Sequence, residues 1–189
     1  GKILQKNILI AVRTTQTGNK IKKILSSHGY HVSSIVEDAF AALRALRTQQ
    51  IALSIIDNDL SGLNGIQLAK VIADEKLGPV VILSNYPVDT GENPPASLFG
   101  ILIKPITQYQ LINTIKLAFL QYESKIGLER EVESLKEALE TRKIVEKAKG
   151  ILMKKYNLSE GEAYERMRKT SMEKRTQLKK VAEAIILME

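Results

Sequence analysis

Along the first 120 residues short apolar runs alternate with stretches in which apolar residues recur every three or four positions. Ile8–Val12, Val32–Val36, Ile51–Ile56, Pro79–Leu83 and Ile101–Ile103 have the length and β-branched content of buried strands. Between them, Ile21, Ile24, Leu25 and His28, then Phe40, Leu43 and Leu46, then Ile66, Leu68, Ala69, Val71 and Ile72 keep helical spacing. Gly29 and Gly78 stand where helix C-caps belong. Strands separated by helices of this length predict an α/β fold: a doubly wound, parallel, five-stranded, flavodoxin-like sheet with helices on both faces. Ligand chemistry in such sheets gathers at the carboxyl ends of the strands. One helix is missing from the pattern, because Gly91 and Asn93-Pro94-Pro95 interrupt the stretch before the fifth strand.

The period changes after that strand. Thr107 with Gln110 makes a capping box, and Leu111, Ile112, Ile115, Ala118, Phe119 and Tyr122 then repeat at helical steps. Gly127 is the one helix-weakening residue before Tyr156, so the helix is predicted to continue, or nearly continue, out of the sheet domain. Leu128, Val132, Leu135 and Leu139 step by four, three and four, the seam of a coiled coil. So short a seam is not stable alone, and dimerisation through it needs support from its neighbours. Intramolecular packing of these leucines is the alternative. Beyond Arg142 the apolar face widens to Ile144, Val145, Ala148, Ile151, Leu152 and Tyr156, which calls for more than one neighbouring helix. Asn157-Leu158 reads as a turn, and Ser159 with Glu162 as a second capping box, opening a helix with Ala163, Tyr164, Met167 and Ser171 inward. A break near Lys174-Arg175-Thr176 leads to a last helix with Leu178, Val181, Ala182, Ile185 and Ile186. The predicted organisation is a sheet domain over 1–121, a coiled-coil linker over 122–141 and a C-terminal three-helix bundle over 142–189, with Ala148 and Gly150 small for close helix packing.

Composition narrows the possibilities. With no cysteine, the chain has no disulfide, thiolate metal site or thiol nucleophile. His28 and His31 have no acidic cluster beside them, and a helix end packed near a strand accounts for them better than a metal does. No run approaches the roughly 18 apolar residues of a membrane span. The apolar start is too short for a signal peptide, so a cytoplasmic protein with no membrane partner is expected. The net charge of +7 is unevenly placed. Residues 142–180 carry 13 basic and 5 acidic side chains, a balance of +8, whereas 121–141 carry 3 and 6, a balance of −3. A basic module on an acidic stalk points to a polyanionic partner, a solvated helix face being the alternative.

At the carboxyl ends of the strands lie Asp57, Ser84 and Lys104-Pro105, followed after Asp57 by Leu60-Ser61-Gly62-Leu63-Asn64-Gly65. This set resembles the phosphoacceptor, hydroxyl switch residue, lysine and loop of two-component receivers. The resemblance implies a carboxylate that takes a phosphoryl group, with Mg2+ neutralising its oxygens. It fails where receivers carry an acidic pair after the first strand, since Val12-Arg13-Thr14-Thr15 stands there. Ile101 also stands at the aromatic switch position. Mg2+ needs carboxylate oxygens, so no metal or cofactor is expected. A pseudo-receiver regulated without phosphorylation follows, with residual phosphoryl acceptance at Asp57 as the alternative. Asp57 could also simply end a buried strand, with Lys104 as its counterion.

Arg142, Ala148-Lys149-Gly150, Leu152-Met153, Ser159, Ala163-Tyr164, Arg168, Met172, Arg175, Leu178 and Val181-Ala182 together resemble the ANTAR family of transcription antitermination regulators. The resemblance implies a non-enzymatic, response-regulator-type protein that binds paired stem-loops in nascent messenger RNA as a dimer and so prevents a terminator from forming. Arg142, Lys147, Lys149, Lys154, Arg168, Lys174, Arg175 and Lys179 are then the candidate RNA contacts. Tyr156 and Tyr164 are available for base stacking or for the core. The implied partners are RNA stem-loops, a second copy of the chain, and a regulatory protein or histidine kinase. Two alternatives remain: a protein-interaction pseudo-receiver whose coiled coil docks another regulator, and DNA binding, which a helix-turn-helix would favour and this pattern lacks.

Overall fold

The computed structural model describes residues 6–189, and the first five residues of the predicted sheet domain lie outside it. Elements follow the order β1 (Asn7–Ala11), α1 (Thr15–Ser27), β2 (His31–Val36), α2 (Ala39–Thr48), β3 (Leu53–Asp57), α3 (Gly65–Asp74), β4 (Val80–Ser84), β5 (Leu98–Ile103), α4 (Gln108–Tyr156), α5 (Glu160–Glu173) and α6 (Leu178–Leu187). The chain divides into two units, Gly1–Ile126 and Gly127–Glu189.

In the first unit all strand pairs are parallel and the order is β2-β1-β3-β4-β5, the doubly wound sheet the alternation predicts. Successive side chains of a strand point to opposite faces, and β1 shows the consequence. Ile8, Ile10 and Val12 pack with Ile21 and Leu25 of α1 and with Leu111, Ile112, Ile115 and Phe119 at the start of α4. Leu9 and Ala11 face Leu43 and Leu46 of α2 and Leu68 and Ile72 of α3. Each fully buried Leu or Ile contributes about 1.5–3 kcal/mol relative to exposure, so these two faces hold the sheet.

Local signals fix the ends of the helices. Thr14, Asp38 and Asn64 cap α1, α2 and α3 through their side chains, and Thr107 with Gln110 closes the capping box at the start of α4. Gly29 takes the left-handed conformation (φ +84) just past α1, as its position predicts. Past α3 that role falls instead to Lys76 (φ +55), whose neighbour Leu77 donates back to the Ile72 carbonyl; Gly78 lies beyond the cap. Strand β5 begins at Leu98, three residues before the predicted run. No helix forms between β4 and β5. There Ser97, buried, donates to the Ala69 carbonyl at 2.6 Å and ties the loop to α3.

Helix α4 continues through Gly127 without a break for 49 residues. Its first part is anchored by Phe99 and Tyr122, edge to face at 5.8 Å, and by Lys125, which donates to the Ala96 carbonyl. In the second unit the end of α4 packs with α5 and α6 around Val145, Ala148, Leu152, Ala163, Met167, Val181 and Ala182. Asn157 (φ +51) turns the chain after α4, and Arg175 (φ +49) ends α5 while Thr176 donates to the Ser171 carbonyl. The Ser159–Glu162 capping box opens α5 as predicted. Gly150 differs from expectation: a Cβ there would meet nothing within 4 Å, so close packing does not require it.

Candidate functional site

The carboxyl edge of the sheet collects Asp57 from β3, Ser84 from β4 and Lys104 from the end of β5. Asp57 is 2% exposed, and the Lys104 ammonium donates to its Oδ2 at 3.0 Å. Ser84 is fully buried and donates to the Tyr86 carbonyl at 2.7 Å. The Tyr86 phenol reaches across and donates to Asp59 in a short hydrogen bond. That bond, followed by burial, holds the phenol above the ordinary tyrosine pKa. Sequence spacing did not single out Tyr86, because nothing local ties it to a residue 27 positions away.

The donor set can be tested against Mg2+. Asp57 is paired with Lys104, Asp59 accepts from Tyr86, Asp38 caps α2, and Glu37 accepts from the Thr15 amide (3.0 Å) and hydroxyl (2.7 Å). Exposed Arg13 stands beside the rim where carboxylates would be needed. Among the described residues no group of three or more His, Cys, Asp or Glu converges. Small, octahedral Mg2+ demands several well-placed oxygens, and the carboxylates at this edge already take part in hydrogen bonds within the protein.

In the second unit the candidate cations separate into distinct environments. Arg142, Lys147, Lys154, Arg168, Lys174 and Arg175 are exposed and Lys179 is half-buried. Lys149 is buried at 7% exposure, with its ammonium 2.9 Å from both Glu146 and Glu160. Those two hydrogen bonds, Glu146 first, raise its pKa, and Lys149 in turn lowers that of Glu160. Lys149 therefore differs from the other candidate contacts in being paired with two carboxylates of its own chain. Arg168 lies 3.4 Å from Glu165, and Lys169 faces Glu173, so that side of α5 is mixed in charge. Tyr156 and Tyr164 are exposed rather than in the core. The guanidinium carbon of Arg166 lies 4.1 Å from the centre of the Tyr156 ring. Arg166 escaped the sequence prediction because the turn at Asn157 is what brings it back to α4.

On the stalk, Leu128, Val132, Leu135 and Leu139 are each half or more exposed. They lie on one face of α4 by their spacing, and among the described residues none of them joins a core cluster. Among the described residues no helix is long and apolar enough to cross a membrane.

A family model described as "Response regulator receiver domain" matches residues 8–116, and one described as "ANTAR domain" matches residues 133–186. The chain is 31% identical over 185 residues to the "Transcriptional regulatory protein PdtaR" of Mycobacterium tuberculosis, covering 96% of this chain and 89% of that protein. The "Nitrate regulatory protein" of Klebsiella oxytoca is 39% identical over 59 residues, which is 31% of this chain and 15% of that protein. Among solved structures, the N-terminal domain of a response regulator/sensory box/GGDEF protein from Carboxydothermus hydrogenoformans has a TM-score of 0.57 at 27% identity. It covers 64% of this chain and 99% of that one.

Proposed function

Because the chain belongs to the response regulators that join a receiver domain to an ANTAR domain, we propose that it is a transcriptional antiterminator that binds paired RNA stem-loops as a dimer. The observation that carries this is the coincidence of the ANTAR match, residues 133–186, with a three-helix unit bearing exposed cations. No bond needs to be made or broken. Holding a hairpin in place competes with a terminator that would use the same nucleotides. Sequence-specific RNA readout favours loops, since the A-form major groove is closed to side chains. Two units on one dimer engage two hairpins at high effective concentration.

The stalk supplies the pairing. Leu128, Val132, Leu135 and Leu139 form the seam between two copies, and burying four large apolar side chains per chain favours association. Arg142, Lys147, Lys154, Lys174, Arg175 and Lys179 make phosphate contacts, whereas Lys149 braces α4 against α5.

The receiver domain acts as a pseudo-receiver, regulated by a protein partner or serving as a dimer scaffold. Supporting this, the acidic side chains at its carboxyl edge already have partners within the protein. Gel-shift titration of a tandem stem-loop RNA with the full chain tests the proposal. Binding should weaken steeply as salt rises, because neutralised phosphates release counterions. Binding indifferent to salt and to Arg175→Ala would overturn it.

A further inference from the structure

In the three-helix unit a cleft of about 310 Å³ opens beside Tyr156, where α4, α5 and α6 meet. Its floor is apolar, made by Leu152, Met167, Val181 and Ile185. Its rim carries Arg166, Lys174 and Lys180, and no carboxylate lines it. A neighbouring cleft shares Tyr156 and carries Lys147, Lys154 and Lys155, with Glu189 as its one carboxylate. Tyr156 therefore stands between two groups of cations while remaining 46% exposed.

The geometry of the ring matters as much as the charge. The Arg166 guanidinium at 4.1 Å from its centre is at stacking distance, and the Lys155 ammonium lies 5.8 Å away. Asn157, left-handed at φ +51, is what allows the chain to reverse and bring α5 over the end of α4. An aromatic ring with a guanidinium 4.1 Å from its centre, beside an apolar cleft that also carries Lys174 and Lys180, suits a flat, uncharged heterocycle joined to phosphates. An unpaired nucleobase in an RNA loop has that chemistry. An acidic peptide would satisfy the cations but leave the stacking surface unused. A base-paired stem would satisfy the phosphate contacts but could not place a base in the cleft.

We propose that Tyr156 and Arg166 form the platform on which one unpaired loop base stacks, with flanking phosphates held by Lys174 and Lys180 on one side and Lys154 and Lys155 on the other. This rests on the RNA-binding function proposed above and adds to it the element that separates loops from duplex. Tyr156 contributes stacking, which every base can accept.

The test uses the full chain and three RNAs: tandem hairpins with randomised loops, the same hairpins with abasic loops, and the stems as blunt duplex. Tyr156→Ala should bind the randomised loops about tenfold more weakly than the unmodified protein. It should bind abasic loops and duplex as the unmodified protein does. Tyr156→Phe should keep close to full affinity, because stacking survives loss of the hydroxyl. Irradiation of hairpins carrying 5-bromouracil in the loop should place the adduct on the peptide containing Tyr156, a readout that a merely structural tyrosine would not give. If the unmodified protein prefers loops while Tyr156→Ala binds them equally well, or if the adducts fall only elsewhere, the platform is wrong and the RNA function stands. If the unmodified protein binds none of the three RNAs, both are wrong.

Discussion

Lys149 of α4 and Glu160 of α5 meet at 2.9 Å, although sequence spacing alone made Lys149 look like a surface cation. The same ammonium is shared with Glu146, one turn earlier on its own helix. Glu160 is held below its ordinary pKa by Lys149, so its contribution is fully present above the unfolded value, about 4.3. That contribution is lost as pH falls through the lower folded value. Lys149 is shifted the other way, so its contribution is present below about 10.4 and is lost as pH rises through a still higher folded value. Thermal unfolding of the full chain against Glu160→Gln should show a constant gap near neutrality that closes in acid. An unchanged gap in strong acid would contradict the pair's role.

The carboxyl edge of the receiver yields a chemical prediction. With Asp57 paired to Lys104 and Asp59 to Tyr86, incubation with acetyl phosphate and Mg2+ should leave the intact mass unchanged. A stoichiometric phospho-adduct on Asp57 would refute the pseudo-receiver proposal.

Gly127 sits inside α4, and a Cβ there would meet nothing within 4 Å. Gly127→Ala should stabilise the helix by about 0.5–1 kcal/mol, seen as a higher unfolding midpoint. Gly150→Ala should gain a similar amount for the same reason. Destabilisation by either would mean that the open space beside these glycines is occupied in solution.

The strands were legible because continuous apolar, β-branched runs between turn residues are local signals of strands buried on both faces, and so were the capping boxes at Thr107 and Ser159. Continuity of α4 through Gly127 followed from the lack of any turn signal. What escaped prediction depends on contacts between distant elements. Lys76 shows that a lysine can take a left-handed cap when the tertiary structure fixes it, even with a glycine two residues on. Tyr86 meets Asp59, and Arg166 meets Tyr156, only after the chain has folded. Tyr156 and Tyr164 kept apolar spacing but ended exposed, since spacing places a residue on a face without saying whether anything covers it.

Leu135 lies in the middle of the exposed seam and, among the described residues, belongs to no core cluster. Leu135→Glu should therefore leave the fold intact and shift sedimentation from dimer to monomer, by setting like charges against each other in a place built for apolar contact. A dimer that survives this change would place the pairing surface elsewhere.

The most direct test compares the affinity of the full chain for a single hairpin and for two hairpins in tandem, using the unmodified protein and Leu135→Glu. A dimer presenting two basic heads should bind the tandem RNA about a hundredfold more tightly than the single hairpin, and Leu135→Glu should lose that advantage. Equal affinity of the unmodified protein for one hairpin and for two would contradict the paired mechanism at its root.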